Sequence, residues 1–569
     1  MTGASNGPAP IGHSRMGAPA SSGEPRPLGQ LVDRLRAAGQ LTSAISAAGA
    51  AIDDAEASAG STVSSIAYDS RRVRDDSVFV AIAGGHADGH DFVAAAGGDG
   101  ACAAIVEHQL RDAQLTQLVV RDTRLALAIA SAWWFGDPSL ELGVVGVTGT
   151  DGKTTTSFLA AAVLEAAGIC TGLITTAAVK VGGGLEANPE HVTTPQAPEL
   201  QAMLREMVEA GNEAAIIETT SHGLALHRVA EIAYDVAVFT NLTHEHLELH
   251  GTFEAYRDAK LSLFSRLGLG PRGGDAREVD KRLRRRWPRV AIVNLDDASA
   301  PMFVAAAEQA GGRVITYGLG PGSVISAGGI REDVRGLSFE ARTPRWRDRI
   351  RLELAGRFNV ANALAAIALG EALDLDPGAI RSGLEGVEGV PGRMERIDRG
   401  QPFAVVVDYA HSPAALEKVL DDLAPLASAG GGLIAVFGSA GERDVRKRPL
   451  MGRIAGERCR LVVVTDEDPR GEDRDRIIDE IAAGAEAAGR TRGHDLLCIR
   501  DRSEAIAEAF SRARPGDVVL LAGKGHEQSI ITADGPVPWN ERAEAIRALE
   551  RLGHPGSPQG RHSQSGDGN

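Results

Sequence analysis

The chain has 569 residues, of which 43% are hydrophobic and only 4% aromatic, and its formal net charge is −16. That length exceeds what one core sustains, so several domains are expected. The acidic balance speaks against a nucleic-acid backbone as the main partner, while leaving room for anionic small substrates in local basic pockets.

In chain order, residues 1–27 are rich in Gly, Ala, Ser and Pro and lack an apolar core segment. They read as a disordered extension rather than a signal peptide. Residues 28–38 predict a helix, and 62–67 alternate like a strand that runs into Tyr68-Asp69-Ser70-Arg71. Further short strands are expected at 78–82, 103–106 and 118–120, giving a small α/β domain over 28–140. A central domain over 141–390 follows, with strands at 142–147, 214–217, 236–240 and 290–293. Helices between them imply a mainly parallel sheet. Residues 266–288, rich in Arg and Gly, read as a solvated insertion. A C-terminal Rossmann-like α/β domain over 391–553 has strands at 404–407, 433–437, 461–464 and 518–522. Residues 554–569 read as a disordered tail.

Four cysteines, Cys102, Cys170, Cys459 and Cys498, form no C-x-x-C pair. A zinc site or disulfide framework is not expected, and a reducing cytoplasm fits. No apolar run approaches the roughly 18 residues of a membrane span.

The most informative stretch is Gly146-Val147-Thr148-Gly149-Thr150-Asp151-Gly152-Lys153-Thr154-Thr155-Thr156. It lies between an apolar strand and a helical pattern, the layout of a phosphate loop. Lys153 can reach a terminal phosphate and the Thr154 hydroxyl can ligate Mg²⁺, so ATP is the expected ligand. The strict pattern has glycine where Val147 stands, so the loop is a variant. Glu218 ends a strand and reads either as a Mg²⁺ ligand or as a helix-start acid. The run Asn241-Leu242-Thr243-His244-Glu245-His246-Leu247-Glu248 is a polar loop or a metal site. Taken alone, Lys260 reads as a solvated helical lysine, and Gly356-Arg357-Phe358-Asn359 as a turn. In the C-terminal domain Asp408-Tyr409-Ala410-His411, Gly438–Asp444, Thr465–Arg470 and Gly523-Lys524-Gly525-His526-Glu527 all follow strands. Four ligand-capable loops on that edge of a parallel sheet predict a site.

These motifs, in this order, resemble the ATP-dependent Mur ligases of peptidoglycan synthesis, over roughly residues 28–552. The markers are Thr148–Thr155, Glu218-Thr219-Thr220-Ser221-His222, Thr240–Leu247, Gly356–Asn359, Asp408–His411 and Gly523–Glu527. Asp69-Ser70-Arg71 and His86-Ala87-Asp88-Gly89 favour two branches of the family, MurE and MurF, and the Gly523–Glu527 loop favours the one that joins a diamino acid to UDP-MurNAc-L-Ala-D-Glu over MurF or a folylpolyglutamate-type ligase. The resemblance implies a three-domain α/β fold, Mg²⁺, and an acyl-phosphate route. It implies that Gly149, Thr150, Asp151, Gly152, Lys153, Thr154, Thr155, Asn359, Asp408 and His411 bind ATP. Thr154, Glu218, His246 and Lys260 would hold metal, Lys260 as a CO₂-derived carbamate. Lys153, Glu218, His246 and Lys260 would be catalytic. Ser70, Gly85, His86, Ala87, Thr193, Thr194, Thr220 and Arg228 would hold the UDP-muramoyl-dipeptide. Arg443, Asp468, Pro469, Arg470, Gly523 and Glu527 would hold the incoming amino acid. Family members adding diaminopimelate usually show Asp-Asn-Pro-Arg where this chain has Glu467-Asp468-Pro469-Arg470. Arg470 suits the distal carboxylate of diaminopimelate, whereas an acid at 468 suits the ammonium of lysine or ornithine. Diaminopimelate is favoured. Asp151 for the usual Asn, and Leu226 for a common Gln, are further departures. A cytoplasmic monomer with no nucleic-acid or membrane partner is expected.

Overall fold

The computed structural model describes residues 24–58, 61–84, 87–188, 192–243, 247–271, 287–333, 336–428 and 430–555. Three sheets organise the chain into N-terminal, central and C-terminal α/β domains.

The N-terminal sheet has six strands, in the order Ala51–Ile52, Leu41–Ile45, Thr116–Val120, Ala101–Val106, Ser77–Val80 and Ser65–Ala67. The strand expected over 62–67 is divided. Thr62–Val63 pairs antiparallel with Arg26–Pro27, while Ser65–Ala67 pairs parallel with Ser77–Val80. The extension expected to run through Pro27 therefore ends in a strand, and Arg26 Nη1 donates to the Trp133 carbonyl at 2.6 Å. That contact anchors the segment to the buried helix Thr123–Trp134.

The central sheet has eleven strands. Its middle is parallel: Thr171–Ile174, Ala214–Glu218, Gly143–Thr148, Val236–Phe239, Val290–Asn294, Arg313–Gly318 and Ile325–Asp333. Antiparallel strands extend it at both edges, Ala178–Val181 and Gly184–Ala187 on one side, Gly336–Arg342 and Arg347–Leu352 on the other. The parallel reading thus holds for the middle and fails at the edges. Arg347–Leu352 buries only Ile350 and Leu352, and a strand with one wet face suits antiparallel pairing. Alternate side chains of Gly143–Thr148 feed two cores. Val145 and Val147 pack with the helices Lys153–Ala166 and Phe358–Ala372, and Val144 with Ala197–Glu209 and Ala300–Gln309. Most of the insertion read at 266–288 lies outside the described residues, but Trp287 is buried against the first of these cores.

The C-terminal sheet runs Glu395–Ile397, Ala404–Asp408, Val518–Ala522, Leu433–Phe437, Leu461–Val464, Leu496–Cys498, parallel except for the first pair. Its four inner strands are buried almost throughout and covered by helices on both faces, while the edge strands Glu395–Ile397 and Leu496–Cys498 are only partly buried. Parallel strands of the central and C-terminal sheets therefore deliver their polar loops at carboxyl ends, where ligands bind in such folds. Among the described residues no helix is long and apolar enough to cross a membrane.

Candidate active site

The loop after Gly143–Thr148 is shaped by close backbone approach. Gly149 has φ of 150°, and a Cβ there would collide with the Thr240 hydroxyl. Beyond it, Asp151 N–H donates to Asn241 Oδ1 at 2.9 Å, and Thr240 Oγ1 donates to the Asp151 carbonyl at 2.6 Å. Thr150 N–H donates to the Asn241 carbonyl at 2.8 Å, and its hydroxyl lies 2.9 Å from that of Tyr256. The neighbouring strand end thus fixes the loop. The helix Lys153–Ala166 begins directly after it, so its N-terminal amides and partial positive charge face the loop. Lys153 Nζ donates to the Thr150 carbonyl at 2.7 Å and is held over the loop.

Glu218 is 1% exposed and ends the adjacent parallel strand. It does not cap a helix: Thr220 does, accepting the Gly223 N–H. Its Oε2 accepts from the Thr154 hydroxyl at 2.9 Å and from Thr176 N–H at 2.9 Å, and its Oε1 from the Thr176 hydroxyl at 3.1 Å. The oxygens of Thr154 and Glu218 suit a hard divalent cation. Among the described residues no group of three His, Cys, Asp or Glu side chains forms a metal cage. A cation held here would complete its shell from phosphate and water, as Mg²⁺ characteristically does.

Lys260 is not solvated, contrary to its reading in isolation. It is 2% exposed, donates to the Gly149 carbonyl at 2.6 Å and lies 4.6 Å from the centre of the Tyr256 ring. The helix Phe253–Ser265 thereby aims its one buried amine at the loop. His246 lies outside the described residues, as do Gly85 and His86.

Thr193, Thr194, Thr220 and Arg228 come together beside Glu218. Thr176 Oγ1 donates to Thr193 Oγ1 at 2.8 Å, Thr194 Oγ1 donates to the Glu218 carbonyl at 2.9 Å, and Arg228 Nη1 donates to the Thr194 carbonyl at 2.8 Å. Burial and the nearby Arg124 lower the Arg228 pKa, as expected of a guanidinium facing the N-terminal domain. That junction is tied by Tyr68 OH donating to Glu199 at 2.9 Å. Ser70 opens a one-turn helix capped by Asp69, and the exposed Ala87 accepts the Gly84 N–H at 2.9 Å.

Asn359 is no simple turn residue. It is 2% exposed and accepts from Asn362 Nδ2 at 2.9 Å, while the Thr156 hydroxyl lies 3.2 Å from Asn362 Oδ1. This chain leads from the phosphate-loop helix toward the C-terminal domain. Across the domain boundary, Lys418 Nζ lies 3.3 Å from Asp151. Asp408 accepts from the N–H groups of Met394 and Ala410, both at 2.8 Å. Burial pushes its carboxyl above the usual range, against the pull of Arg393. His411 is exposed, and its carbonyl accepts from Lys447 at 2.7 Å.

Of the residues read as an amino-acid site, Arg443 is exposed and the rest gather between two loops. Lys524 Nζ donates to Asp468 Oδ1 at 2.7 Å and to Glu527 Oε2 at 2.6 Å, and Asp468 Oδ1 also accepts Ile531 N–H at 3.0 Å. Arg470, at φ 54°, donates its N–H to the Ile531 carbonyl at 2.9 Å. Buried Pro469 connects the two, and its carbonyl packs so close to Gly441 that a Cβ there would collide with it. Sequence reasoning assigned no role to Thr176, Asn362 or Lys524. Lys524 stood inside a marker loop and was findable as the cation among its acids, whereas Thr176 carries no local signal.

Comparisons with known proteins agree with this geometry. The model of the Mur ligase middle domain matches residues 147–370, that of the Mur ligase glutamate ligase domain 392–525, and that of the Mur ligase family catalytic domain 62–132. The chain is 48% identical over 498 residues to a UDP-N-acetylmuramyl-tripeptide synthetase of Roseiflexus sp. (strain RS-1), covering 87% of this chain and 96% of that one. It is 40% identical over 500 residues to a UDP-N-acetylmuramoyl-L-alanyl-D-glutamate--2,6-diaminopimelate ligase of Geobacter metallireducens, covering 86% and 94%. A solved structure of a ligase of that latter name superposes with a TM-score of 0.61 at 30% identity, over 87% of this chain and 96% of that one. The chain therefore belongs to the Mur ligase family, on the branch of the UDP-N-acetylmuramyl-tripeptide synthetases.

Proposed function

We propose that the chain joins diaminopimelate to the D-glutamate γ-carboxylate of UDP-MurNAc-L-Ala-D-Glu, with hydrolysis of ATP to ADP and phosphate. The γ-carboxylate attacks the terminal phosphorus of ATP and ADP leaves, giving an acyl phosphate. The amine then attacks the acyl carbon, loses a proton, and phosphate departs. A carboxylate is a poor electrophile, which is why the phosphoryl group must be supplied first.

Two anions must meet in the first step, so neutralising charge dominates catalysis. Lys153 serves this role at the terminal phosphate, with the amides of Gly149 to Thr155 cradling the others. Thr154 and Glu218 would hold Mg²⁺, which supplies Lewis-acid neutralisation of the phosphates when bound. His246 and Lys260 would hold a second ion, and burial of Lys260 beside the loop favours its carbamate: a carbamate offers oxygen ligands and removes a repelling charge. Asn359 meets the nucleotide from the central domain, and Asp408 and His411 from the C-terminal domain. Ser70 and the 85–87 loop take the uridine diphosphate, and Thr193, Thr194, Thr220 and Arg228 the muramoyl-dipeptide. The incoming amino acid lies against Arg443, Asp468, Pro469, Arg470, Gly523 and Glu527. We further propose a monomer acting in the cytoplasm.

The choice of diaminopimelate rests on Asp468. Its carboxylate is engaged by Lys524 and Ile531 N–H, so its charge is spent inside the protein and does not call for a lysine-type ammonium. Arg470 then remains to clamp a distal carboxylate. Phosphate release with UDP-MurNAc-L-Ala-D-Glu, ATP, Mg²⁺ and each diamino acid in turn tests the proposal. Turnover with diaminopimelate is expected. No turnover with any of them overturns the reaction, and preference for lysine or ornithine overturns only the amino acid.

A further inference from the structure

The residues assigned above to the uridine diphosphate and to the muramoyl-dipeptide stand on different domains. Ser70 belongs to the N-terminal domain, and Thr193, Thr194, Thr220 and Arg228 to the central one. A ligand that spans both gains from its two ends together only where the domains hold the two sites at a matching distance.

The helix Ala197–Glu209 of the central domain packs against the N-terminal domain. It starts three residues after Thr194, and its Ala197 is buried in the N-terminal core together with Ala230, two residues after Arg228. Further along, Arg205 fastens the helix to the chain that links the domains. Its Nε donates to the Phe135 carbonyl at 2.8 Å and its Nη2 to the Gly136 carbonyl at 3.1 Å. The first turn carries one acid, Glu199. The helix dipole favours an acid there, but this carboxylate also reaches across the domain boundary. Its Oε1 accepts from Tyr68 OH at 2.9 Å and lies 3.5 Å from Arg72 Nη1, with the side chain 17% exposed. Tyr68 and Arg72 stand two residues to either side of Ser70. One carboxylate thus grips both ends of the turn that carries Ser70, from a helix that Thr193 and Thr194 lead into. Arg228 lies beside this clasp. Its Nη1 is held on the Thr194 carbonyl at 2.8 Å, and its Nε is buried without a partner among the described residues.

We propose that Glu199 is a positioning residue: through Tyr68 and Arg72 it sets the Ser70 turn at a fixed distance from the dipeptide residues, so that the two ends of the substrate bind as one ligand. This rests on the ligase reading above. Tyr68→Phe and Glu199→Ala should each raise KM for UDP-MurNAc-L-Ala-D-Glu by roughly tenfold, the scale of a hydrogen bond to a charged group. Both should leave kcat and KM for ATP within about twofold of wild type. The double variant should be no weaker than Glu199→Ala, because both changes remove one contact. Glu199→Gln, which keeps an acceptor for Tyr68, should recover most of the loss. Inhibition by UDP alone separates positioning from damage, since UDP needs only one of the domains. Its Ki should stay within about twofold of wild type in every variant, whereas a damaged N-terminal domain would weaken UDP as much as the whole substrate. An unchanged KM, additive losses in the double variant, or a Ki for UDP that rises in step with KM overturns the assignment. A wild-type chain that turns over UDP-MurNAc-L-Ala-D-Glu with no diamino acid overturns the ligase reading instead.

Discussion

The phosphate loop and the amino-acid end of the C-terminal domain solve opposite problems. The first is built from contiguous residues whose backbone does the holding: Gly149 permits close approach to Thr240, and Thr150 and Asp151 are pinned by Asn241. The second is built from side-chain charges on loops more than fifty residues apart in sequence, as in Lys524 with Asp468. Backbone cradles recognise what all nucleoside triphosphates share, whereas a balance of buried charges can be retuned by one substitution. On the proposed reading, a common step of chemistry and a variable substrate are assigned to different kinds of construction.

If that contrast is right, Lys153→Ala should cost at least about a hundredfold in kcat while leaving thermal stability nearly unchanged, because it removes transition-state charge stabilisation and little packing. A comparable loss of stability would blur the distinction. Lys524→Met should do the reverse to the C-terminal domain. It strands Asp468 and Glu527 without their cation, so urea unfolding should reveal a loss of about 3–5 kcal/mol. The double change Lys524→Met with Asp468→Asn should recover part of it.

A smaller effect is expected from Asp408, between the two regions. Burial raises its carboxyl above the ordinary range, so the folded chain holds that proton more tightly than the unfolded chain. Its contribution to stability is full below the unfolded value and is lost as pH rises through the folded one. Asp408→Asn should flatten the fall in melting temperature as pH rises above the ordinary carboxylate range, and an unchanged slope would mean the group titrates normally. Smallest of all is the Lys418–Asp151 pair that joins the domains, half-exposed on both sides. Lys418→Ala should change stability by about 0.2–1 kcal/mol at low salt and less at high salt.

Where a function resides in contiguous chemistry, the residues announced it. The order strand, glycine-rich loop, Lys153-Thr154, helix needed no coordinates, and the parallel strands 143–148, 214–218 and 236–239 were plain from their apolar runs. The antiparallel edge Gly336–Arg342 with Arg347–Leu352 was not read, although its alternation of charged and apolar residues around the Thr343-Pro344 turn is a hairpin signal. The division of 62–67 was hidden, since it depends on Arg26–Pro27 returning to pair there.

The sequence by itself determined the ATP loop, the parallel α/β domains and the family, because these rest on local spacing and backbone geometry. Tertiary structure alone decided the charges: that Lys260 is buried on the Gly149 carbonyl, that Asp468 is spent on Lys524, and that Arg502 is buried in a pair with Glu541. The reason is physical. The meaning of a charged side chain depends on its dielectric surroundings and on which opposite charge lies within a few ångströms, and neither is a property of its neighbours in the chain.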